Sequence, residues 1–288
     1  MRWQSGRRSD NVLDRRGISL GRGGAIGGGA VVVALIAALL GAPQNVVRSL
    51  LGGGGEVTET ESGRVPTAAE NEASEFVKVV LGSTEDVWAA TMPQQTRRPY
   101  EPPKLVLFTE AVQSACGIAG AAVGPFYCPA DSRVYLDLSF FGELAHRFGA
   151  PGDFAQAYVV AHEIGHHVQN LLGISDMVRD RRSRLPPVQS NRVSVATELQ
   201  ADCFAGVWAF HANRSSPLIE PGDAEEGMQA ASAIGDDRLQ REGRGRVVPE
   251  SFTHGSSDQR VRWFNAGMAS GRMADCDTFS GLGDGVGL

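Results

Sequence analysis

The sequence HEIGH, which spans His162 to His166, combines the residue types of a metal-dependent hydrolase. On a helix its two histidines stand one turn apart, so both imidazoles can bind a single metal ion. Glu163 then lies beside the water that the metal holds and can act as a base. The same pattern also occurs by chance on the wet faces of unrelated helices, so it needs a third ligand before it predicts a site.

Glu198 and Asp202 are candidates for that ligand and its support. They stand one turn apart in a second helical pattern, and zinc hydrolases commonly bind the ion through two histidines and one carboxylate. We predict that Glu198 is the third ligand and that Asp202 accepts the free N–H of a ligand histidine. The alternative is an ordinary solvated acidic pair. No HxxGxxH continuation follows His166, so the three-histidine pattern is absent.

Two helices are predicted to position these residues. The first runs between Asp153, a good N-cap, and Gly173, a natural helix stop. Its apolar residues fall on one face, and the HExxH side chains fall on the opposite face within an arc of roughly 100°. The apolar face consists of Phe154, Ala157, Val160, Ala161, Ile164, Val168, Leu171 and Leu172. The second helix spans 191–211 and carries both acidic residues.

Other polar residues are candidates for stabilising the oxyanion that forms during amide hydrolysis. His254 and Arg260 lie at the start of a predicted last helix and are the first choices, although a lone loop histidine is more often structural. Tyr158, on the metal-binding face, either donates to the oxyanion or packs at the rim. His167 is rotated by roughly 100° from the ligand face and is predicted to be an edge-of-core residue.

Charge is distributed unevenly along the 288 residues, which carry a net charge of −6. Residues 1–22 contain six arginines and two aspartates, a net charge of +4, so residues 23–288 carry −10. The acidic body argues against nucleic acid as a partner. We predict a basic, unstructured cytoplasmic tail at 1–22, a transmembrane anchor at 23–42, a flexible Gly-rich linker at 43–68 and a catalytic domain at 69–288.

The predicted anchor is uncharged, and its apolar centre runs from Ala30 to Leu40. Its 20 residues just reach across a bilayer. Because six arginines precede it, the positive-inside rule places the N-terminus in the cytoplasm and the domain outside the cell membrane. A cleaved signal peptide is the alternative, but no good small-x-small cleavage site follows Leu40.

The remaining pattern predicts an α+β domain that is mainly helical and contains a small sheet. The strand candidates are KLVLFT (104–109) and VYLDL (134–138). The second candidate could form a sheet edge, to which a substrate backbone could add as a strand. A helix is predicted over 70–92, with Gly82 and Ser83 as a point where it could break.

The four cysteines are an even number in a domain predicted to be extracytoplasmic, which favours two disulfides. Of the three possible pairings, we predict Cys116–Cys128 and Cys203–Cys276. The first would close a short loop of small residues, and the second would tie the C-terminal region to the helix that carries Glu198. Four buried thiols are the alternative.

Several stretches together make the chain resemble a family of neutral zinc metallopeptidases, which are bacterial single-pass membrane proteins. They are the start MRW…SDNVLDRRG, the run AVGPFYCPADSRVYLDLSFF, the motifs AHEIGHHVQ and ELQADCFAGVWA, and a THG…QR stretch. The resemblance implies a zincin-like, gluzincin-type domain with His162, His166 and Glu198 on one zinc ion and Glu163 as catalyst. Leu13 is a departure, since the family's opening motif tends to have an acidic residue there.

These observations predict a membrane-anchored endopeptidase with one Zn²⁺ ion and a peptide or protein substrate. Two alternatives keep the same metal residues. One is a cell-wall amidase that acts on peptidoglycan, and the other is a membrane-tethered scaffold in which zinc is structural. Structural zinc sites are closed by four protein ligands, so the number of ligands separates a scaffold from an enzyme.

Overall fold

A computed structural model of the protein describes residues 1–20, 59–215 and 218–282. The strands of this described part are β1 (Val12–Asp14), β2 (Ile18–Leu20), β3 (Glu59–Glu61), β4 (Lys104–Phe108), β5 (Ala111–Ser114), β6 (Gly117–Gly120), β7 (Phe126–Cys128) and β8 (Arg133–Asp137). Its helices are α1 (Ala68–Thr96), α2 (Ser139–His146), α3 (Asp153–Leu171), α4 (Ile174–Arg184), α5 (Pro187–Ser215), α6 (Asp223–Ala233), α7 (Asp236–Arg244) and α8 (Ser257–Ser270). The predicted class, α+β and mainly helical, is confirmed.

Four strands form the main sheet in the order β1-β4-β8-β7. β1, β4 and β8 are parallel, and β7 is antiparallel to β8. β4 and β8 are the two strands predicted from the sequence. The suggestion that the VYLDL strand forms an edge is wrong, because β8 is paired on both sides. The edge strands are β1 and β7, and β7 packs beside α3.

Helices α3 and α5, which carry the predicted ligands, cross at backbone contact. A Cβ atom at Gly165 of α3 would lie 2.8 Å from the carbonyl oxygen of Ala201, closer than real Cβ atoms come. Helix α8 packs on α5 in the same way, because a Cβ atom at Gly267 would lie 1.9 Å from the carbonyl oxygen of Cys203. Glycine at these crossings lets polar side chains of three helices converge.

The core around these helices is aromatic. Phe154 of α3 stacks on Trp208 of α5, with ring centroids 5.8 Å apart. Trp88 of α1 contacts Phe204 of α5 edge-on. All four rings are buried, so the helices that carry the ligands rest on a closely packed base.

Helix α1 begins with a capping box, in which Thr67 accepts from the backbone N–H of Glu70 and Glu70 accepts from that of Thr67. The break suggested at Gly82 and Ser83 is wrong, because the helix continues through both residues. The hydroxyl of Ser83 accepts a hydrogen bond of 3.1 Å from Nε1 of Trp208. A tertiary contact therefore fixes the helix where local propensity is weak.

Residues 1–20 fold against the domain, so the prediction that they are unstructured is wrong. β1 extends the main sheet by pairing with β4, and Val12 lies opposite Leu105. Trp3 packs edge-on against Phe76, with ring centroids 5.5 Å apart. The polar composition of this segment suggested disorder. Its arginines instead form ion pairs with carboxylates elsewhere in the fold.

The predicted anchor at 23–42 lies outside the described residues, and so does most of the predicted linker (43–58). No helix in the described part of the chain has both the length and the apolar character needed to span a membrane. The last part of the predicted linker is described and includes β3, which pairs antiparallel with β2.

The structure contains disulfides at both predicted pairings. Cys116–Cys128 has a sequence separation of 12 and joins the β5–β6 turn to the edge strand β7. A loop of this size is expected to stabilise the fold by about 3 kcal/mol. Cys203–Cys276 has a separation of 73 and ties the short turn Met273–Cys276 to α5.

Candidate metal centre

Ligand atoms of His162, His166 and Glu198 all lie within 4.8 Å of one another. Nε2 of His162 is 3.2 Å from one carboxylate oxygen of Glu198, and Nε2 of His166 is 3.5 Å from the other. Donor atoms about 2.0–2.1 Å from a tetrahedral zinc ion are about 3.3 Å apart, so the trio fits zinc. Among the described residues, no fourth metal-binding side chain belongs to this cluster.

The charges within the trio suit a bound cation. Burial alone would raise the pKa of Glu198, but the charge of His166 and hydrogen bonds from both histidines lower it well below its usual range. Burial alone would lower the pKa of His162, but the charge of Asp202 and hydrogen bonds to Asp202 and Glu198 raise it to about 10. A metal ion would take the place of these protons, so binding should release protons.

Asp202 joins His162 to a buried polar network. Its Oδ1 lies 2.8 Å from Nδ1 of His162, and the Arg260 guanidinium donates to both carboxylate oxygens at 2.8 and 2.9 Å. The Tyr158 hydroxyl also donates to Oδ1. Burial raises the pKa of Asp202, but the charges of Arg260 and His162 outweigh it and lower that pKa to about 2. Asp202 is therefore the acceptor that orients the first histidine.

The chain matches the family described as "Putative neutral zinc metallopeptidase" over residues 1–279. The chain belongs to this family. It is 47% identical over 286 residues to Uncharacterized protein YpfJ of Escherichia coli (strain K12), and the match covers 97% of this chain and 99% of that protein. It is 44% identical over 223 residues to Uncharacterized protein Mb2605 of Mycobacterium bovis, and the match covers 73% of each. No solved structure matches it significantly. The resemblance that the motifs indicate is confirmed.

In this member of the metallopeptidase family, Glu163 is buried next to the ligand trio, with 7% of its surface exposed. Burial raises the pKa of Glu163, and the charges of His162 and His166 oppose that shift only in part. A carboxylate with a raised pKa is a stronger proton acceptor at neutral pH. The HExxH glutamate therefore has the electrostatics of a general base.

His254 lies on the loop before α8, where Asp236 fixes it. One oxygen of Asp236 accepts the backbone N–H groups of Thr253, His254 and Gly255 at 2.7, 2.7 and 3.1 Å. Its other oxygen is 3.2 Å from Nδ1 of His254. Burial opposes the shift, but the hydrogen bond to Asp236 and the charge of Glu198 raise the pKa of His254. The His254 side chain is 39% exposed, so a substrate could reach it.

The other candidates for oxyanion stabilisation are Arg260 and Tyr158. Both side chains contact Asp202 in the interior of the domain. Arg260 is 2% exposed and Tyr158 is fully buried. Nη2 of Arg260 also donates to the Tyr158 hydroxyl at 3.2 Å. Both side chains are positioned to hold Asp202 in place, and neither is exposed to an incoming substrate.

Buried amides support the second histidine, and they were not predicted from the sequence. Nδ1 of His166 is 2.8 Å from Oε1 of Gln169. Nε2 of Gln169 donates to the Thr197 carbonyl at 2.7 Å and to Oε1 of Gln200 at 3.1 Å. Gln200 in turn donates to the carbonyl of Cys276 at 3.1 Å. The i, i+3 spacing of His166 and Gln169 could have indicated the first contact, whereas the last depends on tertiary packing.

We expect Gln169→Met to weaken zinc binding by about 10–100-fold, because the His166 ring loses its acceptor. Competition with a chelator measures the Kd, and the visible spectrum of the Co²⁺-substituted protein reports the coordination. Gln169→Glu keeps an acceptor oxygen and should retain most of the affinity. Equal losses in the two variants, or no loss in either, would contradict this role.

His167 is not part of the metal centre. Its Nε2 donates to the carbonyl of Glu101 at 2.6 Å, and its Nδ1 lies 3.0 Å from the hydroxyl of Tyr127. Burial lowers the pKa of His167 to about 4, so the ring is neutral at physiological pH. This placement agrees with the prediction of an edge-of-core residue.

Proposed function

We propose that the protein is a zinc-dependent endopeptidase with a zincin-like active site. The observation that carries the proposal is the geometry of His162, His166 and Glu198, with Glu163 beside them and one coordination position left for water. Membership of a zinc metallopeptidase family supports hydrolysis of peptide bonds. The family also supports zinc as the metal and a peptide as the substrate.

Each residue of the site has a role in this proposal. Bound zinc would polarise the scissile carbonyl and acidify the attacking water. His162, His166 and Glu198 would hold the ion. Glu163 accepts a proton from the water and then donates it to the leaving amine. His254 donates a hydrogen bond to the oxyanion as it forms.

The ligand count favours this enzyme over a zinc scaffold. A structural zinc site needs four protein ligands, and the described residues place only three in one cluster. His254 is not in that cluster and is held by Asp236. An open position is what hydrolytic chemistry requires.

Cleavage of a mixed peptide library tests the proposal. The full chain, loaded with zinc, should cleave internal peptide bonds, and removal of zinc with a chelator should stop cleavage. Mass spectrometry of the products identifies the bonds that are cut. A parallel assay on muropeptides distinguishes the cell-wall amidase. Cleavage of muropeptides and not of peptides would replace the endopeptidase with that alternative.

We expect His254→Ala to lower kcat by about 10²–10³-fold, the usual cost of losing one oxyanion donor. Zinc content should stay at one ion per chain, because His254 is not a ligand in this proposal. Steady-state kinetics with a peptide found in the library checks the result. His146→Ala, at an exposed position at the end of α2, is the control. A change confined to KM would assign His254 to substrate binding instead.

A further inference from the structure

Leu20 and Glu59 are partners in the β2–β3 pair, although 38 residues separate them along the chain. Antiparallel partners have Cα atoms about 4.5–5.5 Å apart. Both ends of the intervening sequence are therefore fixed at one place on the domain.

Residues 1–20 make direct contacts with the domain. These contacts could not form if a membrane lay between the two parts. β1 pairs with β4 over three residues, in the parallel register that begins with Val12 and Leu105. The Ser9 hydroxyl donates to Oε1 of Glu85 at 2.5 Å in a buried contact, and the side-chain amide of Asn11 donates to the same oxygen at 2.7 Å. Ser9 is 3% exposed. A buried carboxylate is costly unless hydrogen-bond donors surround it. The burial of Glu85 therefore depends on the docked N-terminal segment, which provides these donors.

Gly82 gives an independent indication of this docking. It lies in the interior of α1, where glycine costs about 1 kcal/mol relative to alanine. A Cβ atom at Gly82 would lie 2.5 Å from the carbonyl oxygen of Arg7. The Arg7 guanidinium donates to the Gly82 carbonyl at 2.8 Å. The helix therefore has glycine where the N-terminal segment crosses it.

All five arginines of residues 1–20 are engaged in ion pairs. The pairs are Arg2–Glu220, Arg7–Glu85, Arg7–Asp86, Arg8–Glu75, Arg15–Glu59 and Arg16–Asp14. Arg16 is 4% exposed and also donates to the backbone carbonyl of Glu70 at 2.8 Å. Exposed pairs contribute little energy, but four of the five arginines pair with carboxylates outside residues 1–20. The basic charge is therefore part of the docking contact, which the positive-inside rule does not consider.

The sequence between Leu20 and Glu59 does not provide a full membrane crossing with a return. One helical crossing of a bilayer takes about 20 residues, and a crossing with a return takes about twice as many. The uncharged stretch at 23–42 suffices for one crossing. Residues 43–58 include Arg48, Glu56 and four consecutive glycines, so they do not resemble a second span.

We propose that residues 1–20 and the metal-centre domain lie in the same compartment, docked to each other within one chain. If residues 23–42 insert into a membrane, they enter and leave it on the side where the domain lies. The proposal differs from the orientation predicted from the arginines, with the N-terminus in the cytoplasm and the domain outside. The proposal is independent of the enzymatic function.

Cysteine labelling of the full chain in bacterial cells tests the shared compartment. Asp10→Cys and Glu242→Cys are at exposed positions in the two parts, and all four native cysteines are in disulfides. With a membrane-impermeant maleimide, we expect both variants to be labelled in intact cells, or both only after the membrane is permeabilised. Labelling of one variant and not the other in intact cells would overturn the proposal.

Trypsin digestion tests the docking itself. In the purified full chain, bonds after Arg7, Arg8 and Arg15 should resist cleavage. Gly82→Val should displace the segment and speed cleavage at these bonds by about tenfold or more, because cleavage tracks the population of the open form. Gly142→Val is the matched helical control, since a Cβ atom at Gly142 has no neighbour within 4 Å.

Cleavage after Arg262, in the middle of α8, reports global unfolding and should stay slow in both variants. If global unfolding accompanies Gly82→Val, hydrogen exchange of the β1 amides in the wild-type chain takes its place. Protected β1 amides would support docking. Cleavage of the wild-type segment as fast as that of the Gly82→Val segment, or unprotected β1 amides, would overturn it.

Discussion

Replacing Glu163 with glutamine is expected to lower kcat by about 10²–10⁴-fold, the contribution of a positioned general base, while the protein keeps its zinc. Glutamine has nearly the same shape as glutamate, but its amide cannot take a proton from water. The ligands His162, His166 and Glu198 are unchanged. Peptide cleavage and zinc content of the two proteins, measured side by side, check this. Full activity in the variant would remove Glu163 from the mechanism.

Stability separates a catalytic loss from a folding defect. Burial raises the pKa of Glu163 in the folded state. A carboxyl with a higher pKa when folded than when unfolded stabilises the fold below the unfolded-state pKa, and this effect is lost as the pH rises from there through the folded-state pKa. At neutral pH its ionised form therefore works against folding of the zinc-free protein. Glu163→Gln should leave the Tm of that protein unchanged or raise it, so a lower Tm would point to misfolding instead.

Local patterns predicted the candidate metal ligands because helical spacing decides which side chains share a face. His162 and His166 are one turn apart on α3, and Glu198 and Asp202 are one turn apart on α5. Chemistry then limits how two such faces can meet, since two imidazoles and a carboxylate suit one ion. Part of the support for the site comes from another element, since Asp236 lies in α7 and its contact with His254 has no local sequence signal.

The errors about the fold have a related cause. A basic, polar N-terminal segment usually indicates disorder or a topological signal, and no local property of residues 1–20 reveals that β4 accepts β1 as a partner. The break predicted at Gly82 also came from a local property, because glycine lowers helix propensity. In the fold this glycine allows the close approach of the Arg7 backbone. Long-range contacts override such local preferences and cannot be predicted from the neighbouring residues in the sequence.

The buried pair of Asp202 and Arg260 leads to the second large effect. Asp202 is fully buried, and the charge of Arg260 makes the largest contribution to keeping it ionised, followed by that of His162. Removing one partner of a buried pair leaves an uncompensated charge, which typically costs about 3–5 kcal/mol. If Arg260 instead stabilised an oxyanion, its loss would lower kcat and leave stability unchanged. The two roles therefore differ in what a single substitution changes.

We expect Arg260→Met to lower the Tm by roughly 6–20 °C, from that cost and the shift of about 2–4 °C per kcal/mol for a chain of this size. Zinc affinity should fall by about 10–100-fold, because Asp202 no longer holds His162 firmly. The double variant Arg260→Met/Asp202→Asn should be more stable than Arg260→Met alone, since it removes the unpaired charge and keeps an acceptor for Nδ1 of His162. Calorimetry and chelator competition check both effects. A variant with wild-type Tm and zinc affinity but a lower kcat would instead support stabilisation of the oxyanion by Arg260.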